Sequence, residues 1–224
     1  MRRIAAVAAC ALIAVTTLAA RPLEPATGPR GQKRPAARKP PSPPLPKIEP
    51  AKVQCRESLG TGVRTAASYC FVLSGRDPAQ GVLVTVPPHN GPATLIFNLH
   101  NRHTYSEEDV KAGRAFARYS AGIGVLTLTG ELLGRGAVQS EFRTARDLFE
   151  RIGGGAGPGG FKAVAPLGNE EVMVTIPATV KTATQVSFLG ELLDAQSTIG
   201  RESATPGRPV ALVSNVRVEY RPIK

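Results

Sequence analysis

Tryptophan is absent from the 224 residues, and the other aromatic side chains are four tyrosines and seven phenylalanines. Sugar-binding β-sandwiches usually offer broad aromatic platforms, so this composition lowers the expectation of a carbohydrate-binding role without removing it. Hydrolytic signatures are missing too, because the chain has neither a G-x-S-x-G nor an H-E-x-x-H motif. The sequence therefore identifies no named reaction.

Histidine is scarce, and the three present, His89, His100 and His103, lie within one stretch of fifteen residues. Imidazole is a common ligand for zinc or copper. A regular strand, however, sends His100 and His103 to opposite sides and leaves His89 at the far end. We therefore predict no metal site and no cofactor. His100 and His103 are the weak metal candidates, together with one of the acidic residues 107–109, and otherwise they hydrogen-bond a loop to a sheet edge.

Cysteine is also rare, with three residues in the whole chain. Cys10 lies in the N-terminal apolar stretch, which leaves Cys55 and Cys70 as an even pair. Their spacing is wider than the C-x-x-C pattern of reactive or metal-binding thiols. The sequence thus predicts a structural Cys55–Cys70 disulfide, worth on the order of 3 kcal/mol in the chain-entropy model.

The N-terminus contains an apolar run whose length is typical of a signal peptide. Arg2 and Arg3 precede an alanine-rich apolar segment at residues 4–18, and small residues follow at the cleavage position. This pattern predicts a signal peptide at residues 1–19 and a periplasmic or secreted protein that begins near Ala20. The alternatives are an uncleaved signal, which is the one expected route to a membrane, and a lipoprotein attached through Cys10.

Acidic residues are few in the proline-rich stretch that follows. Residues 21–52 carry eight basic and two acidic side chains, a net charge of +6 out of +11 for the chain. Such a segment cannot bury enough apolar surface to fold, so residues 20–52 are predicted to form a disordered, polyproline-like linker. It serves as a basic spacer on anionic envelope polymer or lipid, or as a solvated linker. Because the charge lies outside the domain, nucleic acid is not an expected partner.

The remaining residues, 53–224, suffice for one domain, and their pattern is mainly β. Short alternating runs are separated by glycine, proline and asparagine. Many short strands predict a single β-sandwich, immunoglobulin-like or jelly-roll-like, with one or two short helices. The strand candidates are residues 69–73, 82–86, 95–100, 123–129, 161–165, 172–176, 185–189, 210–213 and 216–220.

Residues 81–103 give the clearest ordered signal. Between two alternating runs, 82–86 and 95–100, lie the six residues 87–92, which are rich in proline, asparagine and glycine. This arrangement predicts a β-hairpin with a possible site at one end.

Two segments have helical periodicity. Ser106 is a candidate cap for a helix over residues 106–119, and its acidic first turn suits the helix dipole. A second helix is predicted over residues 141–152, ending at Gly153. The glycine run at residues 153–160 contains G-x-G-x-x-G, but a helix precedes it and a strand follows, so it is interpreted as a flexible connection.

The stretch HNRHTY gathers polar and aromatic side chains next to the predicted hairpin. His100, Arg102, His103 and Tyr105 are therefore the candidate binding residues, on a loop beside the sheet edge. We expect an exported, non-catalytic binding or structural module of the cell envelope, whose partner is an envelope protein, a glycan or an anionic envelope polymer. The alternative is an exported hydrolase-type or metal-dependent enzyme with its site around His100 and His103.

Overall fold

A computed structural model describes residues 44–153, 163–179 and 184–223 of the chain. These residues belong to one compact unit, residues 42–224. The predicted signal peptide, most of the predicted linker and the glycines of residues 154–160 lie outside the described residues.

The described residues form strands joined by turns, with one short α-helix and one 3₁₀ helix, Pro78–Gln80. The elements are β1 (Lys47–Pro50), β2 (Lys52–Gln54), β3 (Ser58–Thr61), β4 (Ser68–Leu73), β5 (Val82–Thr85), β6 (Ala93–Tyr105), α1 (Glu107–Lys111), β7 (Ala117–Thr127), β8 (Leu132–Phe142), β9 (Ala163–Ile176), β10 (Gln185–Ser197), β11 (Gly200–Ser203) and β12 (Pro209–Tyr220). The prediction of a mainly β domain is confirmed.

The strands build two antiparallel sheets. Sheet A has the order β3-β4-β12-β6-β9, with β1 also paired to β12, and sheet B has the order β2-β5-β10-β7-β8, with β11 paired to β10. Numbered from β4, the eight main strands have the order 1-8-3-6 in sheet A and 2-7-4-5 in sheet B. This is the connectivity of a jelly roll, the second of the two predicted sandwich types.

The core lies between the sheets and is filled by the inward side chains of both. Leu95, Phe97 and Leu99 alternate along β6 with no exposed surface. The rings of Phe97 and Phe188 meet across the sandwich, with centroids 4.6 Å apart. The alternation of apolar residues in the sequence therefore correctly predicted which face of β6 is buried.

The hairpin predicted over residues 81–103 is wrong in its pairing. β5 pairs with β2 and β10 in sheet B, whereas β6 pairs with β12 and β9 in sheet A. The connection between them therefore crosses from one sheet to the other. Alternation shows that a segment is a strand but does not show which strand lies beside it.

The two predicted helices are largely replaced by strands and loop. Ser106 does cap a helix, but that helix is only Glu107–Lys111, and β7 begins at Ala117. No helix forms over residues 141–152: Phe142 ends β8 and the rest is irregular. Phe142 and Phe149, which helical spacing placed on one face, instead pack against His103 and His100 respectively.

Several predicted strands are longer than their patterns indicated. Residues 163–176 form one strand rather than two, and so do residues 209–220. Pairing in β12 shifts register around Asn215, whose φ of 52° marks the irregularity. A strand over residues 132–142 was not predicted, because its glycines and exposed side chains weaken the alternation.

The N-terminal strands extend the domain into the stretch assigned to the linker, because β1 and Lys52 of β2 precede the predicted boundary at Val53. Glu49 on β1 accepts a hydrogen bond of 2.7 Å from the Tyr220 hydroxyl on β12. The predicted disulfide joins Cys55, just after β2, to Cys70 on β4. The disulfide therefore links the segment that follows β2 of sheet B to β4 of sheet A.

Candidate functional site

The HNRHTY stretch forms the C-terminal end of β6, which lies between β12 and β9 in the interior of sheet A. The prediction of a loop beside a sheet edge is therefore wrong. Strand alternation sends these side chains to two sides of the sheet. His103 reaches Tyr119 and Phe142 in sheet B, whereas His100 contacts Phe149.

His100 is fully buried, and both of its ring nitrogens are engaged. Nδ1 lies 2.8 Å from the Gly168 carbonyl on β9, and Nε2 lies 2.9 Å from Ser214 Oγ on β12. Nδ1 therefore donates to the carbonyl and Nε2 accepts from the hydroxyl. Burial lowers the pKa of His100, which keeps the ring neutral and makes it a cross-link between three strands.

Glu150 is a buried carboxylate next to this histidine and was not singled out in the sequence. It accepts hydrogen bonds from the backbone N–H groups of Arg64 and Thr65, from the Thr65 hydroxyl and from the Tyr69 hydroxyl. These donors hold the pKa of Glu150 below its usual value against the opposing effect of burial. A Cβ at Gly62 would overlap the carboxylate, so the loop closes directly over it.

His103 differs from His100 because only one of its nitrogens is engaged. Nδ1 is hydrogen-bonded to the Tyr119 hydroxyl, and Nε2 finds no partner among the described residues. The side chain is 4% exposed, and its ring lies 4.0 Å from that of Phe142 and stacks on Tyr105. Burial lowers the pKa of His103 to about 4 and raises that of Tyr119 to about 12, so both are neutral at pH 7.

A cleft of about 450 Å³ opens beside His103 at one end of the sandwich. We call it the end cleft; it is bounded by the end of β6, α1, the start of β7, the end of β10, and β11. Of the four predicted binding residues, Arg102, His103 and Tyr105 line it and His100 does not. Further lining residues are Asp109, Arg114, Phe116, Tyr119, Ile199 and Glu202.

Arginine–carboxylate pairs surround the end cleft. Arg102 lies 3.1 Å from Glu202, and Arg114 lies 3.2 Å from Asp109. Arg201 also lines the cleft, and it makes two bonds of 2.8 Å to Asp194, which is not a lining residue. The Arg102–Glu202 pair acts electrostatically on Tyr119, with Glu202 raising and Arg102 lowering its pKa. These cations are thus balanced by neighbouring carboxylates.

The hydroxyl groups of the end cleft are mostly bonded to the chain itself. Ser106 donates to Asp109 Oδ2 at 2.7 Å and accepts from the Asp109 backbone N–H, which caps α1. Ser197 donates to the Gly200 carbonyl and Thr198 to the Arg114 carbonyl. None of these hydroxyl groups bonds to His103. Their hydrogen bonds hold the segments that form the walls of the cleft.

Sequence reasoning missed the partners that His103 and Arg102 find in sheet B. Tyr119 is 16 residues away along the chain, and Glu202 is 100 residues from Arg102. Both meet β6 only because sheet B covers sheet A at this end. The one available signal was the acidic run after Ser106, of which Asp109 lines the end cleft.

A second cavity, of about 800 Å³, lies near the junction of β4, β1 and β12 and is lined by Tyr69, Asn98 and Ser214. Ser214 is the hydroxyl that donates to His100, a contact that resembles a nucleophile and its base. His100, however, has no exposed surface and does not line this cavity. It therefore has no path to the leaving group of a substrate.

Within the described residues, no group of three or more histidine, cysteine, aspartate or glutamate side chains is placed to hold a metal ion. The weak candidates His100 and His103 contact separate sets of residues on opposite sides of β6. No helix in the described part of the chain is long and apolar enough to cross a membrane.

No family model matches the chain, and no curated protein matches it. Among solved structures, the T13 viral particle of infectious bursal disease virus aligns at 10% identity and a TM-score of 0.25, over 86% of this chain and 35% of that one. A subviral particle of the same virus aligns at 14% identity and a TM-score of 0.21, over 87% and 46%. The chain spans less than half of either protein, and at these TM-scores neither likeness supports a functional argument.

Proposed function

We propose that the protein is an exported, non-catalytic binding module of the cell envelope that holds its ligand in the end cleft. The observation that carries this proposal is His103, a residue that lines the cleft and whose buried Nε2 has no partner among the described residues. Leaving such a group unsatisfied costs about 1–3 kcal/mol. A ligand that bonds to it recovers that cost.

The shape and lining of the cleft support binding. Its volume falls in the range of roughly 300–1,000 Å³ found for small-ligand sites, and apolar and polar groups converge on it from several elements. The site is also preorganised, because His103 is fixed by Tyr119, Tyr105 and Phe142. A rigid site loses little freedom when a ligand binds.

The chemistry of the cleft favours binding over hydrolysis. The group bonded to His103 is Tyr119, whose pKa of about 12 makes it a weak nucleophile at neutral pH. The serine and threonine hydroxyls are bonded to Asp109 or to backbone carbonyls. The Ser214–His100 contact is the other candidate for acyl transfer. Its base, His100, is fully buried and does not line the cavity that Ser214 lines.

Export is supported by the N-terminal sequence pattern together with the Cys55–Cys70 disulfide, since disulfides persist outside the cytoplasm. The basic stretch of residues 20–46, which precedes β1, would hold the domain near anionic envelope polymer or lipid head groups. Mass spectrometry of cell fractions should find a protein that begins near Ala20 in the periplasm or the medium. A protein with an intact Met1 start in the cytoplasm would overturn this part of the proposal.

Binding can be tested with the mature protein, residues 20–224, sedimented with envelope preparations. His103→Phe keeps an aromatic ring against Phe142 but removes both nitrogens, so bound protein should fall about tenfold. His89→Phe is the matched control, because His89 lies outside the cleft and bonds to the Pro87 carbonyl. Circular dichroism checks that both variants fold. Equal sedimentation of folded His103→Phe and the parent would contradict the proposal.

A further inference from the structure

We infer that the ligand of the end cleft is a neutral saccharide, one of whose oxygen atoms accepts a hydrogen bond from His103 Nε2–H. This inference rests on the proposed binding function and adds the chemical class of the ligand. Three features carry it: the tautomer of His103, the paired charges around the cleft and the aromatic faces beside them.

The tautomer follows from the acid–base chemistry of the His103–Tyr119 contact. Both groups are neutral at pH 7, so either the phenol donates to Nδ1 or Nδ1–H donates to the phenol oxygen. A phenol O–H is a stronger acid than a neutral imidazole N–H, and an imidazole nitrogen is a stronger base than a phenol oxygen. Tyr119 therefore donates to Nδ1, and the ring proton of His103 resides on Nε2.

This tautomer makes the unpartnered atom a donor. His103 lines the cleft and its Nε2–H is buried without a partner among the described residues, so a ligand atom that satisfies it must be an acceptor: a hydroxyl, ether or carbonyl oxygen. A ligand that presents only donors at this position, such as an ammonium group, would leave the cost of the buried Nε2–H in place.

The charges around the cleft favour a neutral ligand over an anion. Arg102, Arg114 and Arg201 are each bonded to a carboxylate, so the lining presents donors and acceptors side by side. A sugar hydroxyl donates and accepts at once, which matches such guanidinium–carboxylate pairs. An oxoanion would meet an acidic neighbour next to each cation, and that repulsion reduces the benefit of the arginines.

Two tyrosine rings supply apolar faces for the ring of a sugar. Tyr105 and Tyr119 line the cleft and are half-buried, and Tyr105 is further held by stacking on His103. Tyrosine offers rigid, amphipathic contact area at low entropic cost. The shortage of aromatics in the whole chain is thus compensated locally, because the fold brings two of the four tyrosines to one cleft.

The test uses isothermal titration of the mature protein with neutral oligosaccharides of two to four rings built from glucose, galactose, mannose or N-acetylglucosamine. The matching uronic-acid oligosaccharides are titrated in parallel. At least one neutral oligosaccharide should bind, its uronic counterpart should bind more weakly, and His103→Phe should weaken neutral binding about tenfold, the loss of one hydrogen bond. His89→Phe should bind as the parent does.

A second measurement tests the tautomer directly. Long-range proton–nitrogen correlation spectra of the histidine rings should show His103 with its proton on Nε2, and the Nε2 signal should shift when the neutral oligosaccharide is added. A purely structural His103 would show no such shift. A proton on Nδ1 would overturn the argument that the ligand supplies an acceptor.

The outcomes of these experiments distinguish a failure of the saccharide inference from a failure of the proposed binding function. If the parent sediments with envelope and His103→Phe does not, while no saccharide binds or the uronic series binds more tightly, the saccharide inference fails and the binding function stands. If neither sedimentation nor any titration depends on His103, the saccharide inference and the proposed binding function both fail.

Discussion

Burial has the same electrostatic effect on two histidines of β6 but leaves them with different chemical capacities. His100 uses both nitrogens to join strands, whereas His103, a residue that lines the end cleft, uses only one and leaves the other without a partner among the described residues. At the scale of single residues, the number of satisfied nitrogens therefore distinguishes His100, a structural histidine, from His103, the proposed binding histidine. It is not visible in exposure, because both side chains are almost fully buried.

The depressed pKa of His103 predicts a stability that depends on pH. The unfolded chain binds a proton on this residue below about pH 6.5 and the folded chain only below about pH 4. Since the unfolded state binds more protons between these values, the stability contribution is complete above about pH 6.5 and is lost as the pH falls towards 4. For His103 the loss is up to about 3 kcal/mol, and His100 adds to it in the same direction.

Urea unfolding at pH 7 and pH 4.5 measures this loss. His103→Phe should reduce the difference between the two free energies of unfolding, whereas His89→Phe should leave it as in the parent. The charged groups near the His103–Tyr119 pair, Arg102 and Glu202, are bonded to each other and remain in both variants. An unchanged pH dependence in His103→Phe would show that this histidine is not the source.

Glu150 makes a separate prediction at the same scale. Glu150→Gln removes the charge that strengthens four hydrogen bonds, so the free energy of unfolding should fall by on the order of 2 kcal/mol. Glu150→Ala should lose more, because backbone donors would then be buried without an acceptor. Glu170→Gln, at an exposed position, should change stability by less than about 0.5 kcal/mol. Chemical denaturation compares the three, and equal effects at positions 150 and 170 would refute the proposed role.

At the scale of elements, glycine lets the edge strands of the two sheets approach each other. A Cβ at Gly134 on β8 would lie 2.8 Å from Val174 Cγ1 on β9, closer than real contacts allow. Gly134→Ala should therefore lower the free energy of unfolding by about 1–3 kcal/mol through overpacking.

Gly122 on the neighbouring strand β7 provides the matched control. A Cβ there would meet Leu192 at an ordinary 3.4 Å, so Gly122→Ala should be close to neutral. Thermal unfolding of both variants checks the contrast. If Gly134→Ala is as stable as Gly122→Ala, the edge strands have more room than the structure shows.

The strands and helices also show which parts of the fold can be predicted from local sequence patterns. Alternation located β4, β5 and much of β6 because one face of each strand is buried. It failed for the pairing of β5 with β6, since neighbouring strands are chosen by contacts over the whole chain. It failed again at residues 141–152, where Phe142 and Phe149 match helical spacing but are buried against different histidines.

The candidate site was predictable to a similar degree. Arg102, His103 and Tyr105 lie next to one another in sequence, so their composition marked them. Tyr119 and Glu202 come from distant strands and reach His103 and Arg102 only through the stacking of the sheets. A local pattern can identify one wall of a cleft, whereas the opposite wall depends on topology.

At the scale of the whole molecule, the Cys55–Cys70 disulfide joins the chain next to a strand of sheet B to a strand of sheet A. The double variant Cys55→Ser/Cys70→Ser should lower the free energy of unfolding by about 3 kcal/mol in the chain-entropy model. Thiol labelling of the denatured, unreduced mature protein should find no free thiol. Reductant should bring the parent to the stability of the double variant and leave the variant unchanged; two labelled thiols in the unreduced parent would contradict the bridge.

The position of β12 also constrains how the molecule is made. This strand, the last in the described residues, lies between β4 and β6, so sheet A has a gap at its centre until residues 209–220 arrive. Pairing between such distant segments is slow to form. A chain emerging from a ribosome or threading through a translocation channel therefore cannot complete sheet A until residues 209–220 have passed. For the exported protein proposed above, late closure of the sheet keeps the precursor competent for transport.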